Sequence, residues 1–354
     1  MKKTVFFFLL MGMVAGPLQA CRFTIREIGY TPLQLQTYIM QLEVDTVARK
    51  DLFEDFVRVA EDMSGTTNIR YRIAQKSGLK NGVISLLNTR GITIARKTVS
   101  VAGETDAFYE RMLFSPLQRT LEQQIGNVFA FVVCFYERND RETDQKVEDA
   151  LEQFRKLAPT LDKSVSEQIM KILVPASRRK EEEVVMRAAG LDPASPESYV
   201  MILYGRGRLV GAPLKGKEIT TDHILNQLVM LGTDCECGID LSPLLIRSIP
   251  LQWTERMGQK VADMLGFDAG NPMILSEMSK ILSKEPTTTV DEALTFAPRT
   301  VDLDKALGKT KQRQETPATV SGPSKTLKNT LLYTGLFLGI ILITGLGIFF
   351  FRKK

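Results

Sequence analysis

The stretch 331–351 reads LLYTGLFLGIILITGLGIFFF, contains no charged residue, and is followed at once by Arg352, Lys353 and Lys354. At about 1.5 Å of helical rise per residue this run covers roughly 30 Å, the thickness of one hydrocarbon core. It is expected to cross a membrane once. Everything before it is then held on one side of that membrane or removed on the way there.

The other end reads as a secretory signal over residues 1–20. Lys2 and Lys3 supply the positive start, residues 5–14 an apolar run too short to span, and Gly16 with Pro17 a helix break before Ala20. Leu18, Ala20 and Cys21 resemble a bacterial lipobox, in which the cysteine is acylated, although Gln19 departs from that pattern. Cys21 is therefore a lipidation candidate. The expected topology is a single-pass protein of a bacterial inner membrane. Its bulk lies on the periplasmic side, and the tail 352–354 stays inside, as the positive-inside rule requires.

The net charge of +5 suggests an anionic partner until its location is considered. Lys2, Lys3 and the three tail residues carry the whole excess, so the exported part is balanced. No footprint for nucleic acid is left, and none is expected to bind. An exported part of this length usually divides into more than one core.

The segments between fall into a repeated order. Residues 37–44 alternate apolar and polar as a strand exposed on one face. Residues 45–63 repeat apolar positions at helical spacing, 68–74 form a short strand, 82–97 a hairpin and 104–125 a helix with a kink or restart at Ser115 and Pro116. Then 127–136 gives a near-continuous apolar run, as in a strand buried on both faces. It is followed by an amphipathic helix at 144–157, helical pieces at 165–173 and 178–189, a hairpin at 199–213 and a helix at 221–232. Residues 21–30 read as a leading strand. Ile84–Ala95 can be laid on Val200–Gly211, with Arg90-Gly91 matching Arg206-Gly207 at the turns.

This order resembles the thioredoxin-like fold over residues 36–125 and 127–234. The resemblance implies an α/β chain of two repeated modules with mixed sheets. The redox members of that fold carry CxxC where the first strand meets the first helix. Here the junctions are Glu43-Val44-Asp45-Thr46 and Glu137-Arg138-Asn139-Asp140, so no catalytic residue carries over. The expected organisation is a signal at 1–20, modules at 21–126 and 127–245, a helical extension at 246–283, a linker at 284–330, the membrane helix at 331–351 and a tail at 352–354.

Four cysteines, Cys21, Cys134, Cys235 and Cys237, are disulfide candidates on an oxidising side. Cys235 and Cys237 flank Glu236, with Asp234 and Asp240 nearby. Acidic neighbours disfavour a thiolate, so a structural bond is favoured over redox exchange, and neither a metal nor a cofactor is expected. Cys134 sits within an apolar strand and reads as a buried thiol. Arg178-Arg179-Lys180 before Glu181-Glu182-Glu183 reads as a solvated helix face. Gly205-Arg206-Gly207-Arg208 reads as a hairpin turn whose arginines are available to an anionic partner. His223 opens a helix, and residues 249–253, ending in the sole tryptophan, read as core packing. Gly335 and Gly339 form a GxxxG pair that lets membrane helices approach closely, a candidate for self-association that many such pairs do not realise.

These features lean away from an enzyme and toward a non-catalytic scaffold or accessory subunit for an envelope protein. The alternatives are an oxidoreductase using Cys235 and Cys237, and a ligand-binding transport accessory, which requires a pocket where the modules meet.

Overall fold

Two patterns of burial build two sheets. The computed structural model describes residues 23–137, 139–161, 168–233 and 241–283. The chain is mixed α/β, with a four-stranded and a five-stranded sheet. The described residues all fall within one compact unit, Met1–Ala297.

The leading segment differs from expectation. Residues 25–29 form a short helix, α1 (Ile25–Gly29), and not a strand. Thr24 caps it and receives Glu27 in return, a reciprocal capping box that satisfies two otherwise orphaned backbone donors. The Thr-x-x-Glu signature was present in the sequence but outweighed by a short apolar alternation.

The first sheet contains β1 (Tyr38–Val44), β2 (Ile69–Gln75), β3 (Gly82–Leu87) and β4 (Thr93–Val99) in the order β2-β1-β3-β4. β1 and β2 run parallel, and the other pairs are antiparallel. Helix α2 (Lys50–Met63) crosses between β1 and β2, and α3 (Glu104–Leu113) follows β4. Leu52, Phe56 and Met63 from α2 and Phe108 and Met112 from α3 share one core with Tyr38, Met40 and Leu42. Both helices thus cover the same face. The expected long helix restarts: Ser115 caps α4 (Pro116–Gln124), with Pro116 in its first turn and Gln118 completing a second capping box.

The second sheet repeats the order. β5 (Val128–Phe135), β6 (Gln168–Leu173), β7 (Tyr199–Tyr204) and β8 (Arg208–Leu209) lie as β6-β5-β7-β8, with β9 (Leu214–Lys215) also paired to β7. Again the crossover pair is parallel and the rest antiparallel. Helix α5 (Arg141–Leu161) makes the crossover. Gln168–Leu173 was expected to be helical. A six-residue stretch, QIMKIL, cannot be assigned by periodicity alone, and here pairing with β5 decides it. The helical piece at 178–189 reduces to a 3₁₀ turn and α6 (Glu183–Ala188).

Unlike the first sheet, this one is covered on both faces. α5 and α7 (Thr221–Leu231) pack one face through Val147, Leu151, Ile224 and Leu228. α4, α6 and α9 (Glu255–Leu265) pack the other through Leu117, Leu121, Met186, Met257 and Val261. Two more helices, α8 (Ser242–Leu245) and α10 (Pro272–Leu282), complete the described chain. Among the described residues no helix is long and apolar enough to cross a membrane. The run 331–351, the signal segment and the linker lie outside them.

Candidate functional site

The hairpin turn between β7 and β8 is pressed onto the end of α1. Gly205 has φ +51° and a Cβ there would strike the Gly29 carbonyl, so the contact demands glycine on backbone and steric grounds together. The Arg206 amide donates to Gly29 O at 3.1 Å.

Arg208 is fully buried. Its Nε donates to Gly29 O at 2.9 Å, its Nη2 to Thr31 O and Leu33 O at 2.7 Å each, and its Nη1 to Leu245 O. Neutral carbonyls therefore solvate a cation that burial pushes down to about 10. The expectation that Arg208 is available to an anionic partner is corrected: its donors are spent on backbone carbonyls of Gly29, Thr31, Leu33 and Leu245. Arg179 behaves alike. It is buried and donates to Phe135 O at 2.7 Å and Glu197 O at 2.9 Å. Glu182 is buried too, accepting from Leu117 N at 2.8 Å and from the Ser115 hydroxyl. The solvated-face reading of this charge run holds for the exposed Arg178–Glu181 pair at 2.9 Å and fails for Arg179 and Glu182.

Arg206 is different. Its Nε donates to Tyr30 O at 2.9 Å and its guanidinium lies 4.3 Å from the centre of the Trp253 ring. Among the described residues its two terminal nitrogens have no hydrogen-bond or ion-pair partner. Burial, reinforced by neighbouring Arg208 and opposed by Asp268, pushes its pKa down to about 10.

Arg206 and Trp253 form one side of a cavity of about 250 Å³ between the two sheets' surroundings. Thr66, Thr67, Asn68 and Arg70, at the entry to β2, form another side. Pro32, Leu35 and Thr37 close it from the segment between α1 and β1. The lining holds two arginines and no acid.

The cavity is held by a strap, residues 248–253. Trp253 N donates to Thr66 O at 2.5 Å, and Gln252 forms an isolated antiparallel bridge with Thr67. The Asn68 amide donates to Gln36 O at 3.1 Å and Ile249 O at 3.0 Å, while accepting from Leu251 N at 3.1 Å. Tyr38 Oη reaches Ser248 O at 2.5 Å, and Gln118 Nε2 reaches Pro250 O at 2.7 Å. Ile249 and Leu251 pack as core, as expected, whereas Trp253 is half-buried and faces the cavity.

The remaining candidates do not join this site. Cys134 is a free thiol, fully buried in β5, and burial pushes it up to about 12. Cys21, Cys235, Cys237, Gly335 and Gly339 lie outside the described residues. His223 sits at an exposed helix start, its Nδ1 2.8 Å from Glu218 O. Among the described residues no group of three or more His, Cys, Asp or Glu is placed to hold a metal ion. Sequence reasoning missed Arg70 and Asn68, because neither stands in a motif and both gain meaning only where the strap meets β2. No protein-family model matches this chain, and no curated protein matches it either.

Proposed function

We propose that this chain is a non-catalytic envelope scaffold, held at the inner membrane by the run 331–351, whose two thioredoxin-like modules dock another envelope protein. The single observation that carries the reading is the contrast between a hydrogen-bonded junction and an open sheet face. The strap ties β2 to the second core through backbone and amide hydrogen bonds. Gln41, Glu43, Arg72, Arg96 and Thr98 line the face of the first sheet that no described helix covers, by the alternation and register of its strands. The shared strand order, with crossover and terminal helices on one face, supports the thioredoxin-like assignment of both modules.

Photo-cross-linking in the full-length chain tests the docking reading. A cross-linking residue in place of Arg96 is expected to give a discrete adduct, and one in place of the exposed Glu152 on α5 none. Equal labelling from both positions, or from neither, defeats it. Thiol trapping tests the redox alternative in parallel. Cys235 and Cys237 that cycle with a small dithiol would replace the scaffold by an oxidoreductase.

The cavity favours a second reading, a ligand-binding accessory. That reading needs a pocket where the modules meet, and Arg70 and Arg206 bring one side of it from each module.

A further inference from the structure

The cavity is cationic without being an ion pair. Arginine presents five N–H donors in a planar fork. In Arg206 only Nε is bonded, to Tyr30 O, and the guanidinium carbon lies over the Trp253 ring at 4.3 Å. Arg70, exposed at the start of β2, has no hydrogen-bond or ion-pair partner among the described residues either. Other surface arginines show what the sequence does when it wants a structural pair: Arg49 meets Asp51 at 2.7 Å, Arg58 meets Asp106 at 2.6 Å, and Arg111 meets Glu183 at 2.7 Å. Arg70 and Arg206 instead face one cavity together, with no acid in its lining.

Size and wall chemistry narrow the ligand. A volume of about 250 Å³ lies just below the range of drug-sized ligand pockets, roughly 300–1,000 Å³. Leu35, Leu251 and the Trp253 ring give it an apolar side, which a strongly hydrated inorganic anion would not use. The positive groups oppose an amine. We propose that this pocket binds a small organic acid. Arg206 and Arg70 supply the charge that holds the carboxylate, and its apolar body lies along Leu35, Leu251 and Trp253. Arginine suits this role because its fork matches a carboxylate in two parallel hydrogen bonds. The inference deepens the ligand-binding reading and does not depend on docking at the open sheet face.

The chain contains one tryptophan, so its emission reports on this pocket. The full-length protein, purified in detergent, is titrated with hexanoate, with hexanamide and with inorganic phosphate, and calorimetry is run alongside. Hexanoate is expected to shift Trp253 emission saturably, with at least about tenfold weaker binding of the amide and of phosphate. Arg70→Gln is expected to weaken hexanoate about tenfold while leaving the circular dichroism unchanged, and Arg70→Lys to recover part of the loss. Equal binding of hexanamide keeps a ligand pocket but overturns its assignment to an acid. Equal binding of phosphate overturns the apolar body. No saturable response to hexanoate overturns the inference as a whole, and the cross-linking result stands or falls separately.

Discussion

The two sheets share a strand order and differ in what lies against them. In the first, the central pairs Gln41–Ser85 and Glu43–Val83 put polar groups on the uncovered face. At the corresponding places in the second stand Val133–Met201 and Phe135–Tyr199, all buried. The burial of β1 alternates residue by residue, whereas every residue of β5 and β7 is buried. One topology thus supports two environments, and the side-chain pattern decides which. A sheet packed on one face needs alternation, and a sheet packed on both needs continuous apolar strands.

The turns differ in the same sense. Gly91 and Gly207 occupy matching positions with φ +76° and +70°. The next residue is Ile92, 57% exposed, in the first hairpin and Arg208, 0% exposed, in the second. Arg208→Met removes four hydrogen bonds to backbone carbonyls, of which Gly29 O keeps the Arg206 amide and those of Thr31 and Leu245 lose a buried donor. It is expected to cost about 4 kcal/mol, or to prevent folding, whereas Ile92→Ala should stay within about 0.5 kcal/mol. Urea denaturation of the two variants measures both, and comparable losses would erase the distinction between the hairpins.

Exchanging residues between the sheets sharpens the contrast further. Val133→Gln places an amide between two apolar layers and is expected to cost about 3 kcal/mol, since burial of an unpaired amide is that expensive. Gln41→Val removes hydrogen bonds to Arg72 and Glu43 on a wet surface and should cost less than about 1 kcal/mol. If Gln41→Val proves as damaging as Val133→Gln, the face of the first sheet is covered after all.

This comparison also marks what the sequence makes legible. β1 and β5 announce their environments because alternation and continuity are local patterns. The matched hairpins are legible for the same reason, their glycines being forced by backbone geometry. α1 and β6 were misread because each is too short for periodicity to discriminate, and a capping box in one case and a parallel partner in the other settles the outcome. The sequence leaves Arg208 available to an anionic partner because its four acceptors come from Gly29, Thr31, Leu33 and Leu245, all distant in the chain. The cavity is illegible in the same way. Its walls come from 32–37, 65–70, Arg206 and 251–253, and no local pattern joins them.

The smallest expected effect concerns two carboxylates pushed in opposite directions. On the open face of the first sheet, a hydrogen bond from Lys76 holds Glu43 below the usual carboxylate range. On α4, which covers the second sheet, desolvation pushes Glu122 up to about 7, only partly opposed by Arg119, and its buried Oε1 has no hydrogen-bond partner among the described residues. A carboxyl whose pKa is higher folded than unfolded binds its proton more tightly in the native state. Ionisation of Glu122 therefore takes stability away as pH rises from about 4.5 to about 7. Glu43 behaves oppositely, its contribution being present above its unfolded pKa and lost as pH falls. Glu122→Gln resembles the protonated form and should match the parent protein at low pH. Above neutral pH it should exceed it by on the order of 1 kcal/mol, discounted for partial contact with water. Denaturation midpoints across this range test the sign. A variant that gains nothing above neutral pH would place Glu122 in an environment as wet as that of Glu43.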